Sequence, residues 1–140
     1  VRSIDALILT NEIVENSIKE TLESKSKIAT RETINSIRSI VKVSDSGYIG
    51  EVWGAGGLKF IESGRKPNSK MPPSGVLLPW MRSKGIEEDK EFIIRRSIAR
   101  KGIKPTKIIA PALKETSKQR IQILRGAVAN EIFKSLVKDL

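Results

Sequence analysis

SIRSIVKVSDSGYIGEVW, residues 36–53, is the stretch that decides the fold class. Ile37, Val41 and Val43 fall on one face of a strand, with Ser39 interposed. Ile34, Ile37 and Val41 also fit a helical stripe. β-Branched residues crowd the second half of the segment, which favours a strand there. Ser44-Asp45-Ser46-Gly47 is a turn signal. Tyr48–Trp53 supplies a returning strand, so the unit is expected to be a β-hairpin.

Outward from this hairpin the chain turns helical. On the N-terminal side, Ile4, Leu7, Ile8, Val14, Ile18 and Leu22 recur at spacings of three and four, which predicts a helix over 4–24. Ser3 is a candidate N-cap. Residues 25–35 are polar and read as a loop or the start of a second helical turn. On the C-terminal side, the Gly-rich link 54–57 reads as a bend, because it lacks the Lys-Ser/Thr ending of a phosphate-binding loop. Leu58–Ser63 is a short apolar-containing segment closed by Gly64.

Residues 65–73, RKPNSKMPP, hold three prolines and are expected to form an extended, basic, exposed loop. Ser74 then suggests an N-cap for a helix over 75–84, with Pro79 just beyond its first turn and Gly85 ending it. Glu87, Glu88 and Asp89 precede a helix over 89–101, whose last turn carries Arg100 and Lys101. That charge order suits the helix dipole. Phe92, Ile93 or Ile94, Ile98 and Ala99 form its expected apolar face, and Gly102 closes it. Ile108 and Ile109 are candidates for a further strand.

The last helix is expected over 111–137, with Pro111 in its first turn. Leu113, Ile121, Leu124, Val128, Ile132 and Leu136 make its stripe. Gly126 interrupts it, with a close helix contact as one compensation. The fold class is therefore α+β: a small antiparallel sheet covered by helices, with a long C-terminal helix. The 140 residues are read as one domain, with an N-terminal helix and loop (1–35), a middle of hairpin, basic loop and short helices (36–110), and the C-terminal helix (111–140).

The chain has no His and no Cys. That removes the commonest general base and metal ligand, and with them thiolate chemistry and disulfides. Glu87, Glu88 and Asp89 read as helix-start residues rather than metal ligands. No apolar run approaches the ~18 residues of a membrane span, and the N-terminus lacks a signal-peptide pattern. The plain expectation is a soluble, intracellular protein that needs no cofactor and is not an enzyme.

Charge is distributed unevenly. The net charge is +10, and residues 64–107 carry 12 Lys and Arg against 4 Asp and Glu. Arg65, Lys66, Lys70, Arg95, Arg96, Arg100, Lys101, Lys104 and Lys107 are the candidates for an electropositive face. They would either contact phosphates without reading sequence or dock on acidic patches of neighbouring subunits. A solvated face is the plainest alternative. Only Trp80 and Phe92 interleave with the charges, which argues against a stacking platform for single strands.

Taken in order, SIVKV, the turn, GYIGEVW, LKFIESGRKP, KMPPSGVLLPWMRSKGI and FIIRRSIARKGIKPTKIIAPAL resemble the tail-completion, or head–tail joining, proteins of tailed bacteriophages and prophages. The resemblance covers roughly residues 37–115. It rests on Glu62, Gly64, Arg65, Met71, Pro72, Pro73, Trp80, Lys84, Gly85, Ile86, Ile98, Ala99, Arg100, Gly102, Pro111, Ala112 and Leu113. Gly57-Leu58 stands where the family usually carries an aromatic. The resemblance implies a non-enzymatic virion component, assembled in the host cytoplasm, that forms a homo-oligomeric ring at the neck. Its implied partners are further copies of itself, the neighbouring connector and tail proteins, and DNA passing through the lumen. The loop over 65–73 is the expected intersubunit arm. A standalone, sequence-non-specific nucleic-acid-binding protein using residues 64–107 is the alternative.

Overall fold

The computed structural model describes residues 2–25 and 30–138. Helix α1 spans Ser3–Ser24 and buries Ala6, Thr10, Val14, Ile18 and Leu22, one residue every fourth position. A row at this spacing lies along one side of a helix. A one-turn helix, α2 (Arg31–Asn35), follows, and the Thr30 hydroxyl caps it by accepting the Thr33 amide. Residues 26–29 lie outside the described part, so the loop expected there is described only at its edges.

The hairpin forms as expected. Strands β1 (Arg38–Ser44) and β2 (Gly47–Trp53) pair antiparallel, from Arg38 opposite Trp53 to Ser44 opposite Gly47. Gly47 takes a φ of +138°, and the Ser44 hydroxyl bonds its carbonyl. The register places Ser39, Val41 and Val43 on one face, opposite Val52, Gly50 and Tyr48. Asn11 of α1 donates to the Ile40 carbonyl, and a Cβ on Gly50 would lie 2.5 Å from the Asn11 side chain. The sheet therefore lies close on α1 where a residue has no side chain.

Helix α3 (Leu58–Ser63) follows the Gly-rich bend. Helix α4 (Leu78–Ser83) comes next, then a 3₁₀ turn (Glu88–Lys90), α5 (Glu91–Lys101) and α6 (Ile109–Lys138). The core gathers Val14, Ile18, Leu22, Ile34, Ile37, Leu58, Ile108 and Ala112. It lies where α1, the hairpin, α3 and the start of α6 converge. Farther along, α1 and α6 remain packed together, and Ala6, Thr10 and Ala127 are buried.

Several local expectations change. Ser3 is not the N-cap. It is the first helical residue, and both its amide and its hydroxyl donate to the Glu131 carboxylate at 2.6 Å. Helix α4 starts at Leu78 rather than 75, so Ser74 does not cap it. Pro79 sits in the first turn, where its missing amide costs nothing. Ile108 and Ile109 form no strand, because α6 already begins at Ile109. Gly126 meets open space rather than a packed helix. The largest change concerns α6. Of its expected core stripe, Leu113, Ile121, Val128, Ile132 and Leu136 are 42–63% exposed. The residues that α6 buries are instead Ala112 and Ala127.

Candidate assembly surface

Glu62, at the end of α3, reaches the start of α6. Its carboxylate accepts the amides of Ile108 and Ile109 at 2.7 and 2.8 Å and that of Ala110 at 3.1 Å. These amides have no partner within a helix. Partial burial pushes the Glu62 carboxyl upward, but the three amides and nearby Lys107 outweigh it and hold the group below its usual range. The acidic residue of the Glu-Ser-Gly-Arg segment is thus a cap supplied from a distance.

Two residues on, Gly64 opens the neck of a module whose ends are joined at Arg65 and Ile103. Arg65 and Ile103 exchange both backbone hydrogen bonds, at 2.9 and 3.0 Å, as an isolated antiparallel bridge. Gly64 (φ +69°, ψ −169°) and Gly102 (φ +72°, ψ −171°) flank it. This backbone region is essentially reserved for Gly. A Cβ on Gly102 would also lie 2.9 Å from the Pro67 nitrogen, and one on Gly64 2.8 Å from that of Pro105.

Between these ends lie the 65–73 loop, α4 and α5. The loop is not a free arm. The amides of Asn68 and Ser69 donate to the carbonyls of Arg100 and Ala99, Pro72 is buried, and Pro73 is exposed beside it. Arg95 donates to the Pro72 carbonyl at 2.8 Å, and Arg65 to the Lys70 carbonyl at 2.6 Å. The Arg65 guanidinium also stacks on Phe60, 4.9 Å from the ring centre. Pro-rich composition hid this anchoring, because the bonds that hold the loop come from distant residues. Met81 is fully buried in the module, Trp80 half-buried, and Gly85 (φ +67°) ends the turn after α4.

The nine basic candidates therefore divide. Arg65 and Arg95 hold the module together. Lys107 stands beside Glu62. Lys66, Lys70, Arg96, Arg100, Lys101 and Lys104 are exposed and make no ion pair among the described residues. The bridge and the Asn68–Arg100 bond bring the loop cations to the C-terminal end of α5. There the helix dipole adds partial negative charge and favours their gathering.

Large apolar side chains are exposed nearby and elsewhere. Phe92 is 56% exposed and leaves the expected apolar face of α5, and of the alternatives Ile93 and Ile94 it is Ile94 that joins Ile98 and Ala99 in partial burial, while Ile93 is 68% exposed. On α6, Phe133 and Val137 are exposed as well, about 100° round the helix from Ile132 and Leu136. An open cleft of about 330 Å³ lies between α1, the hairpin and α6, lined by Asn11, Gly50, Trp53 and Leu113 among others. Arg120 is the one ionisable group in its lining, and its guanidinium is bonded to Thr116 and the Leu113 carbonyl. Among the described residues, no three His, Cys, Asp or Glu converge as a metal site, and no helix is long and apolar enough to cross a membrane.

Comparison with protein-family models, curated proteins and solved structures finds no match.

Proposed function

We propose that this chain is a structural subunit of the head–tail junction of a tailed bacteriophage or prophage. In this reading it resides in the virion and assembles with copies of itself into a ring between the portal-side connector and the tail. The observation that carries the reading is the α6 stripe. Leu113, Ile121, Val128, Ile132 and Leu136 recur at helical spacing yet stay exposed in the single chain. Large apolar side chains left exposed in a row along one helix fit a contact with another molecule. The resemblance adds support, since Glu62, Gly64 and Gly102 of its motif build one neck and cap.

Sedimentation and negative-stain imaging of the purified protein test this directly. Closed assemblies of several copies are expected. A strictly monomeric protein that is also missing from purified virions would end the proposal.

The six exposed cations that make no ion pair among the described residues favour a second reading, contact with nucleic-acid phosphates. Duplex binding should then weaken steeply with salt. Replacing Lys66, Arg100 or Lys101 by Ala should each lower the salt slope by about one. Binding that ignores salt excludes this use of the face.

A further inference from the structure

The charges on the two long helices are opposite. Helix α1 carries five acidic residues and one basic, and α6 carries six basic and two acidic. Much of this charge is unused within the chain. Leu9, Glu12, Glu20 and Glu23 are exposed along the outer line of α1. Glu12 and Glu20 make no ion pair among the described residues, and Glu23 has only an exposed bridge to Arg31. On α6, Lys114, Lys118 and Arg125 are exposed, make no ion pair among the described residues, and lie at helical spacing beside the apolar stripe.

The two lines also match in register. Glu12, Glu20 and Glu23 lie 3, 11 and 14 residues after Leu9, while Arg125, Lys118 and Lys114 lie 3, 10 and 14 before Val128. At a rise of about 1.5 Å per residue, the antiparallel lines agree to within about 1.5 Å. With Leu9 opposite Val128, Glu12 meets Arg125, Glu20 meets Lys118 and Glu23 meets Lys114. Ile132 and Leu136 then extend past the exposed Ile8 toward the start of α1.

From this correspondence we infer that the occupant of the α6 stripe is the outer face of α1 of a second copy of this chain. Pairing of α6 with another α6 would bring basic helices together, which costs affinity. The contact uses different surfaces on its two sides, so repeating it propagates an assembly and closes a ring when the rotation allows. The inference rests on the self-assembly proposed above and names the surfaces that carry it.

Charge reversal tests it. Glu12→Lys with Glu20→Lys, and separately Lys118→Glu with Arg125→Glu, should each weaken self-association by about tenfold or more at low ionic strength. An equimolar mixture of the two double variants should reassemble, because each then offers the other an oppositely charged face. The four-fold variant should also recover. Sedimentation velocity reads the mass, and circular dichroism confirms that each variant is folded. The chain has no Cys, so Leu9→Cys and Val128→Cys chains give an independent measurement. Oxidising their mixture should link one kind to the other.

Association unaffected by the α1 reversal, or links predominantly between two Val128→Cys chains, would overturn the inference while leaving self-assembly intact. Assemblies that stop at two copies but respond to mixing keep the α1–α6 contact and sink the ring. A wild-type monomer sinks both.

Discussion

Gly64 and Gly102 stand on either side of the Arg65–Ile103 bridge in the same backbone conformation, φ near +70° with ψ near ±170°. Each is packed against the opposite strand of the neck. Gly64→Ala and Gly102→Ala should each lose about 2–3 kcal/mol, from a conformation closed to L side chains and from contact with facing backbone. Urea unfolding measures the loss. Gly56→Ala, where a Cβ meets nothing, is the control and should change stability little.

Glu62 should give the protein part of its acid sensitivity. Its folded carboxyl lies below the ordinary value, so the unfolded chain takes up the proton first as pH falls. The stabilisation is present above about pH 4.3, the usual Glu value, and disappears as pH drops through the lower folded value. Glu62→Gln should lower stability at pH 7 by about 1 kcal/mol, as a weakened cap, and flatten the stability curve below pH 5. Denaturation across pH 3–7 compares the two. Asp5, Glu15, Glu51 and Glu131 are also held low, so some acid slope should survive.

Arg95 and Arg96 are neighbours in sequence with different work. Arg95→Ala removes the bond to the Pro72 carbonyl and should cost about 1–2 kcal/mol. Arg96→Ala should stay within about 0.5 kcal/mol. Hydrogen exchange at the Asn68 and Ser69 amides should quicken in the first variant and not in the second.

Ile132→Glu should leave the folded single chain about as stable as before, because the side chain is 56% exposed there. Self-association should fall sharply. Thermal melting and sedimentation at matched concentrations separate the two effects.

The periodicity of the sequence located most elements, since each reflects local geometry. The hairpin followed from β-branched alternation around a Ser-Asp-Ser-Gly turn, and α1 from a clean stripe at spacings of three and four. Facing was less legible. The α6 stripe has a correct helical period, but period alone does not say whether a core or another molecule covers it. Ala112 and Ala127, which α6 buries, carry too little hydrophobicity to announce an inward face. The cap by Glu62 and the tie from Glu131 to Ser3 span 46 to 128 residues of sequence separation, so no local pattern could reveal them. Arg65 and Arg95 looked like surface charges because the carbonyls they bind are invisible in side-chain composition.

The bridge at Arg65 and Ile103 sets two distant points of the chain side by side. Topologically, the residues between them are an insertion, leaving and re-entering the body at one place. Their length and sequence can therefore change, or be exchanged for another excursion, without redirecting the chain through the core. What such an exchange must keep is the pair of glycines at the entrance.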